Sequence, residues 1–277
     1  MIVSIASGKG GTGKTTVAVN MALSLGGVKL LDCDVEEPNC YIFLKPEMGK
    51  KEPVTIRVPD IDERLCDYCG KCAYFCQYNA LAVSKGIILK FTELCHSCGG
   101  CMLVCPKKAI TETSRAIGEV MHGRKDDIEF SYGVLNIGEA MATPIIKKLK
   151  ENIGVEKDVL IDAPPGTSCA VIETVKDSDY CLLVTEPTPF GLNDLKIAVE
   201  MLESLSIPHG VILNRDGIGD NNVVEYCNEK NIPLHLKIPH DHRIAELYSE
   251  GIPFTQEMHE YKIMFKDVLK KIREVVE

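Results

Sequence analysis

The sequence predicts an α/β fold, in which a mostly parallel sheet has helices on both faces and a small α+β segment is inserted. The evidence for the sheet is a series of short apolar runs, at 28–32, 159–162, 180–185, 210–214 and 234–238. Helical patterns at 191–205 and 221–230 separate several of these runs, and such alternation is typical of parallel sheets covered on both faces. The evidence for the insertion is a pair of four-cysteine runs between residues 66 and 105.

The N-terminal segment predicts a strand, a glycine-rich turn and a helix. The strand is expected over the apolar residues 1–6 and the helix over 17–25, on either side of Ser7-Gly8-Lys9-Gly10-Gly11-Thr12-Gly13-Lys14-Thr15-Thr16. In this context the glycines let backbone N–H groups converge on phosphate oxygens, and the helix N-terminus adds partial positive charge. The sequence therefore predicts a P-loop NTPase fold with Lys14 at the β- and γ-phosphates. The residues expected to bind nucleotide are Gly8, Gly10, Gly11, Thr12, Gly13, Lys14, Thr15 and Thr16.

Polar side chains follow three of the predicted strands. Because ligands of open α/β sheets bind at the carboxyl ends of the strands, we expect these side chains to meet near the loop. Asp162 fits a carboxylate that holds Mg²⁺ directly or through water, together with Asp32 and the Thr15 hydroxyl. Asp34 is expected to orient the attacking water, and the Asn214 amide to hydrogen-bond a purine edge.

Composition and charge limit the classes of function. The chain has 277 residues, no Trp and a formal net charge of −9, which argues against a nucleic-acid-binding surface as its main feature. Its apolar runs are too short to span a bilayer, and no signal-peptide pattern precedes the first strand. We therefore expect a cytoplasmic protein that does not bind nucleic acid, and these features argue against a membrane partner.

Eight of the thirteen cysteines form two runs with the same spacing, C-x2-C-x2-C-x3-C. The first run comprises Cys66, Cys69, Cys72 and Cys76, and the second comprises Cys95, Cys98, Cys101 and Cys105. Gly70 and Ala80 in the first run recur as Gly99 and Ala109 in the second, which indicates an internal duplication. This segment resembles a bacterial-type ferredoxin with two [4Fe–4S] clusters.

The spacing predicts which cysteines bind each cluster. Three thiolates on a tight loop bind one cubane, and the fourth cysteine of the run binds the other. The first cluster is thus expected on Cys66, Cys69, Cys72 and Cys105, and the second on Cys95, Cys98, Cys101 and Cys76. Zinc is the alternative metal for a Cys₄ site, although interleaved runs at this spacing favour iron–sulfur clusters. The insert is expected over 58–113, within a host domain made of 1–57 and 114–277.

A second lysine at the start of the loop, Lys9, gives Gly-Lys-Gly-Gly-Thr-Gly-Lys-Thr, which resembles the deviant Walker A motif of the MinD/ParA/Mrp/nitrogenase iron protein superfamily. Three further segments support the resemblance: 32–39, 162–167 and 238–241. The resemblance is greatest to MinD-superfamily ATPases with an inserted ferredoxin domain. It implies an ATPase that dimerises on binding ATP, in which Lys9 reaches the nucleotide of the facing subunit. It also implies that Pro239 and Asp241 line the adenine pocket beside Asn214. The implied catalytic residues are Lys9, Lys14, Asp34 and Asp162.

Two features leave alternatives open. Cys169 follows Asp162 at an offset similar to that of a cluster ligand in the nitrogenase iron protein, so it either faces a symmetry mate or is a small packed residue. The amphipathic stretch 261–273 is either a closing helix docked on the sheet or a membrane-targeting helix, as in cell-division relatives. Its apolar residues are expected near one face: Ile263, Phe265, Val268, Leu269 and Ile272.

The leading hypothesis is an ATPase whose nucleotide state controls iron–sulfur centres, either for electron transfer or for metallocluster assembly or activation in another protein. The expected cofactors are ATP, Mg²⁺ and two [4Fe–4S] clusters. The expected partners are a second copy of the chain and a redox or metallocluster client protein. One alternative is a MinD/ParA-type positioning or scaffolding switch with a structural insert, and another is an electron carrier with a degenerate nucleotide site.

Overall fold

The computed structural model describes residues 1–151, 153–154 and 157–276. Its strands are β1 (Ile2–Ala6), β2 (Lys29–Asp32), β3 (Glu47–Ile61), β4 (Leu81–Ser84), β5 (Ile87–Lys90), β6 (Ile110–Lys125), β7 (Ile128–Leu135), β8 (Val159–Asp162), β9 (Tyr180–Thr185), β10 (His209–Asp216) and β11 (Leu234–Pro239). Its α-helices are α1 (Lys14–Leu25), α2 (Cys40–Leu44), α3 (Lys71–Phe75), α4 (Gly100–Leu103), α5 (Thr143–Lys150), α6 (Cys169–Val175), α7 (Pro189–Ser204), α8 (Asn222–Lys230), α9 (His242–Ser249) and α10 (Glu260–Val276). Short 3₁₀ turns span Thr92–Leu94 and Phe254–Gln256.

Nine of these strands form one sheet in the order β11-β10-β9-β1-β8-β2-β7-β6-β3. All neighbours from β11 to β7 run parallel, whereas β6 pairs antiparallel with both β7 and β3. The strands β4 and β5 form a separate antiparallel hairpin. The prediction of a mostly parallel α/β sheet is therefore confirmed.

The element bounds differ from the predicted ones by a few residues. The first helix begins at Lys14 instead of residue 17, because the left-handed Gly13 (φ 94°) ends the loop and the chain turns directly into the helix. Strand β10 continues beyond residue 214 to Asp216. Both differences extend regular structure into the expected nucleotide site.

Helices cover both faces of the sheet because successive strand side chains point to opposite sides. In β9, Leu182 packs in a core with residues of α1 and α10, whereas the next residue, Leu183, packs with α7 and α8. A third core lies between α5 and the strands β3 and β6, and it includes Ile117 and Ile145. The predicted two-faced helix layer is thus confirmed.

The register of the central strands brings their polar ends together. Asp32 at the end of β2 pairs with Asp162 at the end of β8, and Ile5 of β1 pairs with the same Asp162. The loop that follows β1 therefore starts at the edge of the sheet where both carboxylates lie.

The strands β3 and β6 form a long antiparallel ribbon at one side of the sheet. Their last paired residues are Ile61 and Ile110, so the cysteine-rich chain between them leaves and re-enters the ribbon at one point. The expected ends of the insert also meet, since Val58 pairs with Thr113.

The C-terminal helix α10 packs its apolar face on the sheet and on α1. Phe265 and Ile272 are fully buried in that core, so the closing-helix alternative describes this structure. Ile263 is 72% exposed, and its predicted place on the buried face is wrong. At about 100° per residue, it points roughly 200° away from Phe265. None of the described helices has both the length and the apolar character that are needed to span a bilayer.

We expect Phe265→Ala to destabilise the fold by about 3–5 kcal/mol, because it removes a fully buried aromatic ring and leaves a cavity. Ile263→Ala on the same helix is the matched control and should change the free energy of unfolding by less than about 0.5 kcal/mol. Urea denaturation followed by circular dichroism measures both. Equal losses of stability in the two variants would contradict the packing described for α10.

Candidate functional site

The loop between β1 and α1 has a backbone that requires glycine at particular positions. Gly11 and Gly13 have φ values of 79° and 94°, a region in which side chains other than glycine are strained. A side chain at Gly8 would collide with the backbone of Asp194, and one at Gly13 would collide with the Asn214 amide. These positions keep the loop close to its neighbours.

The helix that follows places two polar side chains against the strand ends. Lys14 is only 7% exposed, and the Thr15 hydroxyl donates a 2.6 Å hydrogen bond to Oδ2 of Asp162. The Thr12 hydroxyl oxygen is buried and has no hydrogen-bond partner among the described residues. The loop therefore offers a buried cation at Lys14, a buried hydroxyl at Thr12 and a half-buried hydroxyl at Thr15.

Asp32 and Asp162 are fully buried side by side. Burial, above all, and the neighbouring charge of Asp162 raise the pKa of Asp32, and burial likewise raises the pKa of Asp162. The Thr15 hydrogen bond and the Lys14 charge act in the opposite direction on Asp162. A further cation at this point would stabilise both carboxylates in their charged form.

Asp32 has a second role, which is to hold the segment that follows β2. Its Oδ1 accepts a hydrogen bond from the N–H of Asp34 (3.1 Å), and its Oδ2 accepts from the N–H groups of Asn39 and Cys40, both at 2.9 Å. Asp32 thus holds residues 34–40 through backbone hydrogen bonds, in addition to its predicted role near the metal. Burial and the Asp32 charge raise the pKa of Asp34 to about 6.

Cys40 is a residue of this site that the sequence did not predict. Its thiol donates to Oδ2 of Asp162 at 3.4 Å, and one ligand atom each from Asp32, Cys40 and Asp162 lie within 4.8 Å of one another. Cys40 reaches the two carboxylates because residues 33–40 fold back toward the end of β2. No sequence motif around Cys40 indicates this position. Oδ1 of Asp162 is buried without a hydrogen-bond partner among the described residues, so the site can accept a cation. The hydroxyl and carboxylate oxygens of Thr15 and Asp162 suit Mg²⁺.

Lys9 is held by a residue that the sequence also did not predict, Glu186. Its Nζ lies 3.8 Å from Oε2 of Glu186, while Arg215 pairs with Oε1 of the same carboxylate at 3.0 Å. The Lys9 side chain is 32% exposed and Glu186 is 9% exposed. Lys9 therefore lies at the surface of the loop, and its side chain is paired within its own subunit in this structure.

The three predicted adenine-site residues have differing surroundings. The Asn214 amide donates to the carbonyl of Thr12 at 2.8 Å and accepts from the N–H of Arg215 at 3.0 Å. Asp241 caps α9 by accepting a 2.7 Å bond from the N–H of Arg243. Pro239 is exposed at the end of β11. Asn214 thus braces the phosphate loop, a contact that its position at a strand end did not predict.

The eight clustered cysteines divide between two cavities. Four line the first, Cys66, Cys69, Cys72 and Cys105. Four line the second, Cys76, Cys95, Cys98 and Cys101. The structure thus brings together the members of each predicted ligand set, including the two cysteines that cross over. The exposed Cys169 lies outside both cavities at the start of α6.

Backbone N–H groups point at the sulfurs of both runs in matching positions. Cys66 and Cys95 accept from the N–H two residues later, at 3.4 and 3.5 Å. Cys76 and Cys105 accept from the N–H four residues later, both at 3.3 Å. The internal duplication is therefore visible in the hydrogen bonds to sulfur as well as in the spacing.

The chain is similar to nucleotide-binding and iron–sulfur proteins over nearly its full length. An uncharacterized protein of Methanocaldococcus jannaschii is 33% identical over 266 residues, which is 92% of each chain. An iron-sulfur cluster carrier protein of the same organism is 26% identical over 99% of this chain and 84% of its own. The fold is similar to that of the septum site-determining protein MinD of Pyrococcus horikoshii, solved with Mg-ADP. The TM-score is 0.59 with 21% identity, over 99% of this chain and 95% of that one.

The family that matches is described as the CobQ/CobB/MinD/ParA nucleotide binding domain, and the match covers residues 3–254. It includes the phosphate loop, both buried carboxylates and the whole cysteine-rich segment. The chain belongs to this CobQ/CobB/MinD/ParA family of nucleotide-binding domains.

Proposed function

We propose that this chain is an ATP-hydrolysing iron–sulfur protein, in which a host domain binds Mg·ATP and an inserted domain holds two [4Fe–4S] clusters. The observation that carries the proposal is the presence, in one chain, of a phosphate loop against buried carboxylates and of two separate cysteine-lined cavities. Relatives named iron-sulfur cluster carrier proteins support an iron–sulfur role. The insert is proposed over 58–113, within a host of 1–57 and 114–277.

On the nucleotide side, each proposed role follows from a position in the site. Lys14 and Thr15 are proposed to hold the phosphates and Mg²⁺, with the unpartnered oxygen of Asp162 facing the ion or its water. The ion would supply positive charge to the phosphates and to the buried carboxylates. Asp34 is proposed to orient the attacking water. Asn214, Pro239 and Asp241 remain the proposed adenine contacts.

Lys9 supports a deviant Walker A mechanism with a second copy of the chain. Its side chain is partly exposed, and among the described residues its ion-pair partner is Glu186 at 3.8 Å, so exchange of that partner for a phosphate of a facing subunit costs little. The proposed active form is therefore a nucleotide-dependent homodimer.

The spacing of the cysteine sulfurs favours clusters over zinc. A tetrahedral zinc site with Zn–S bonds of about 2.3 Å places its sulfurs about 3.8 Å apart. Across the described part of the chain, the eight clustered cysteines provide no group of three sulfurs within 4.8 Å of one another. Such open quartets suit a multinuclear centre, and the N–H···S contacts suit its sulfur ligands.

The names of the relatives favour metallocluster delivery to a client protein over plain electron transfer, which stays the second use of the same centres. A MinD/ParA-type positioning switch is less favoured. The apolar face of α10, which would have to meet a membrane in that case, packs on the sheet instead.

Lys14→Ala should lower ATP turnover at least about 10²-fold, because it removes the buried cation at the phosphates. Lys266→Ala, an exposed lysine on α10, is the matched control and should leave turnover unchanged. Phosphate release by the purified proteins measures both. Wild-type turnover in Lys14→Ala would remove the basis of the nucleotide site.

Cys72→Ser and Cys98→Ser should each lose one cluster and retain the other, since the two residues line different cavities. Iron and acid-labile sulfide should fall to about half in each variant, with different EPR signals surviving. Cys169→Ser, outside both cavities, should keep the full content. Loss of the same signal in both variants would refute the division into two sites.

Turnover should depend on the ionisation of Asp34. Its pKa is raised to about 6, so the carboxylate that orients water is protonated below this pH and charged above it. The kcat/KM for fully ionised Mg·ATP, which reports the free enzyme, should rise between pH 5 and pH 7 and then level off. In the Asp34→Asn protein, the residual kcat/KM should no longer rise between pH 5 and pH 7. A flat wild-type profile over that range would contradict the role.

A further inference from the structure

Arg115 joins the host domain to the cysteine-rich segment. It lies on β6 with its side chain 21% exposed, and both of its terminal nitrogens bond the carboxylate of Glu139, Nη1 to Oε1 and Nη2 to Oε2. Its Nη2 also donates a 3.0 Å hydrogen bond to the carbonyl of Thr92. A forked guanidinium–carboxylate pair of this kind fixes orientation as well as charge.

The carbonyl that Arg115 contacts lies in the short turn Thr92–Leu94, directly before Cys95 of the second run. The N–H of Cys95 donates to the same Thr92 carbonyl at 3.2 Å. The bond to Glu139 chiefly, and also the charges of Glu93 and Cys95, raise the pKa of Arg115. The guanidinium is therefore a fixed positive charge beside the quartet that contains Cys95. The cavity of the other quartet has its own charged residues, Asp67, Lys71 and Lys107, and Arg115 does not line it.

Glu139 connects Arg115 to the segment that follows β2. Its N–H bonds the carbonyl of Asn136, directly after β7, at 3.2 Å. The N–H of Leu135, the last residue of β7, donates to the carbonyl of Val35 at 2.8 Å. Val35 is buried and follows Asp34 in the chain. A path made of hydrogen bonds and of chain neighbours thus runs from Asp34 in the nucleotide site to Cys95.

We infer that Arg115 is a positioning residue through which the segment after Asp34 sets the charge felt by the Cys95-containing cluster. The inference rests on the proposed function. A nearby cation stabilises the more negative, reduced form of a cluster and so raises its reduction potential. Glu139 offsets part of that charge. Any nucleotide-driven shift of the loop that carries Glu139 therefore changes the potential of this cluster, and leaves the other cluster nearly unchanged.

Two substitutions at the pair should have opposite effects. Arg115→Gln removes the cation and should lower the potential of the Cys95-containing cluster. Glu139→Gln leaves the cation without its partner and should raise it. Arg115→Lys keeps the charge and should restore most of the wild-type value. Arg124→Gln is the matched control, because Arg124 lies at the other end of β6 and bonds the carbonyl of Asp126.

The measurement is an anaerobic redox titration followed by EPR, with ADP and with a non-hydrolysable ATP analogue. The two signals are identified with the Cys72→Ser and Cys98→Ser proteins. We expect opposite shifts in Arg115→Gln and Glu139→Gln, confined to one signal, and loss of its nucleotide dependence in Arg115→Gln. Shifts of the same sign, or equal shifts of both signals, would overturn the inference.

Two results separate this inference from the proposed function. A nucleotide-dependent potential that persists in Arg115→Gln overturns the role of Arg115 alone. Wild-type potentials that are identical in both nucleotide states overturn the proposed coupling, and this inference with it. If Arg115→Gln does not fold, the rise expected in Glu139→Gln decides the question.

Discussion

The burial of two carboxylates side by side, Asp32 and Asp162, is the constraint on which the rest of the site depends. Two like charges away from water are tolerated only when cations and hydrogen-bond donors face them. Lys14 and the Thr15 hydroxyl face Asp162, and three backbone N–H groups of residues 34–40 face Asp32. The phosphate loop, the strand ends and this segment are consequently one electrostatic unit, and Mg·ATP would change the charge balance of all of them.

Only three neighbouring strand pairs of the sheet separate the nucleotide site from the cysteine-rich segment. β2 pairs with β7, β7 with β6, and β6 with β3, and the segment begins and ends at the far end of the β3–β6 ribbon. Ser97, between two cysteines of the second run, both accepts from the N–H of Arg57 (2.9 Å) and donates to its carbonyl (2.7 Å). The cysteine-rich segment is thus hydrogen-bonded to the ribbon from which it emerges.

The parts of the site that could be proposed from the sequence are those whose pattern is local or repeated. Glycines in a turn define the loop within ten residues. Two cysteine runs of equal spacing indicate that the fourth cysteine of each run crosses to the other cluster, so the loop and the two quartets could be proposed without a structure. Cys40, Glu186 and Arg115 could not, because each acts through a partner far along the chain that only the sheet order brings near. Asn214 was placed at the correct strand end, yet its amide braces the loop. Ile263 was misplaced because an apolar residue in an amphipathic stretch need not lie on the buried face.

We propose that nucleotide binding and the oxidation state of the iron–sulfur clusters are thermodynamically coupled within one polypeptide. Linkage requires that any effect of ATP on the clusters has an equal reciprocal effect of their oxidation state on ATP binding. The most direct test is the Kd of a non-hydrolysable Mg·ATP analogue, measured anaerobically on the fully oxidised and the fully reduced protein. Coupling between the two sites requires two different Kd values, and a Kd that is the same in both oxidation states would exclude it.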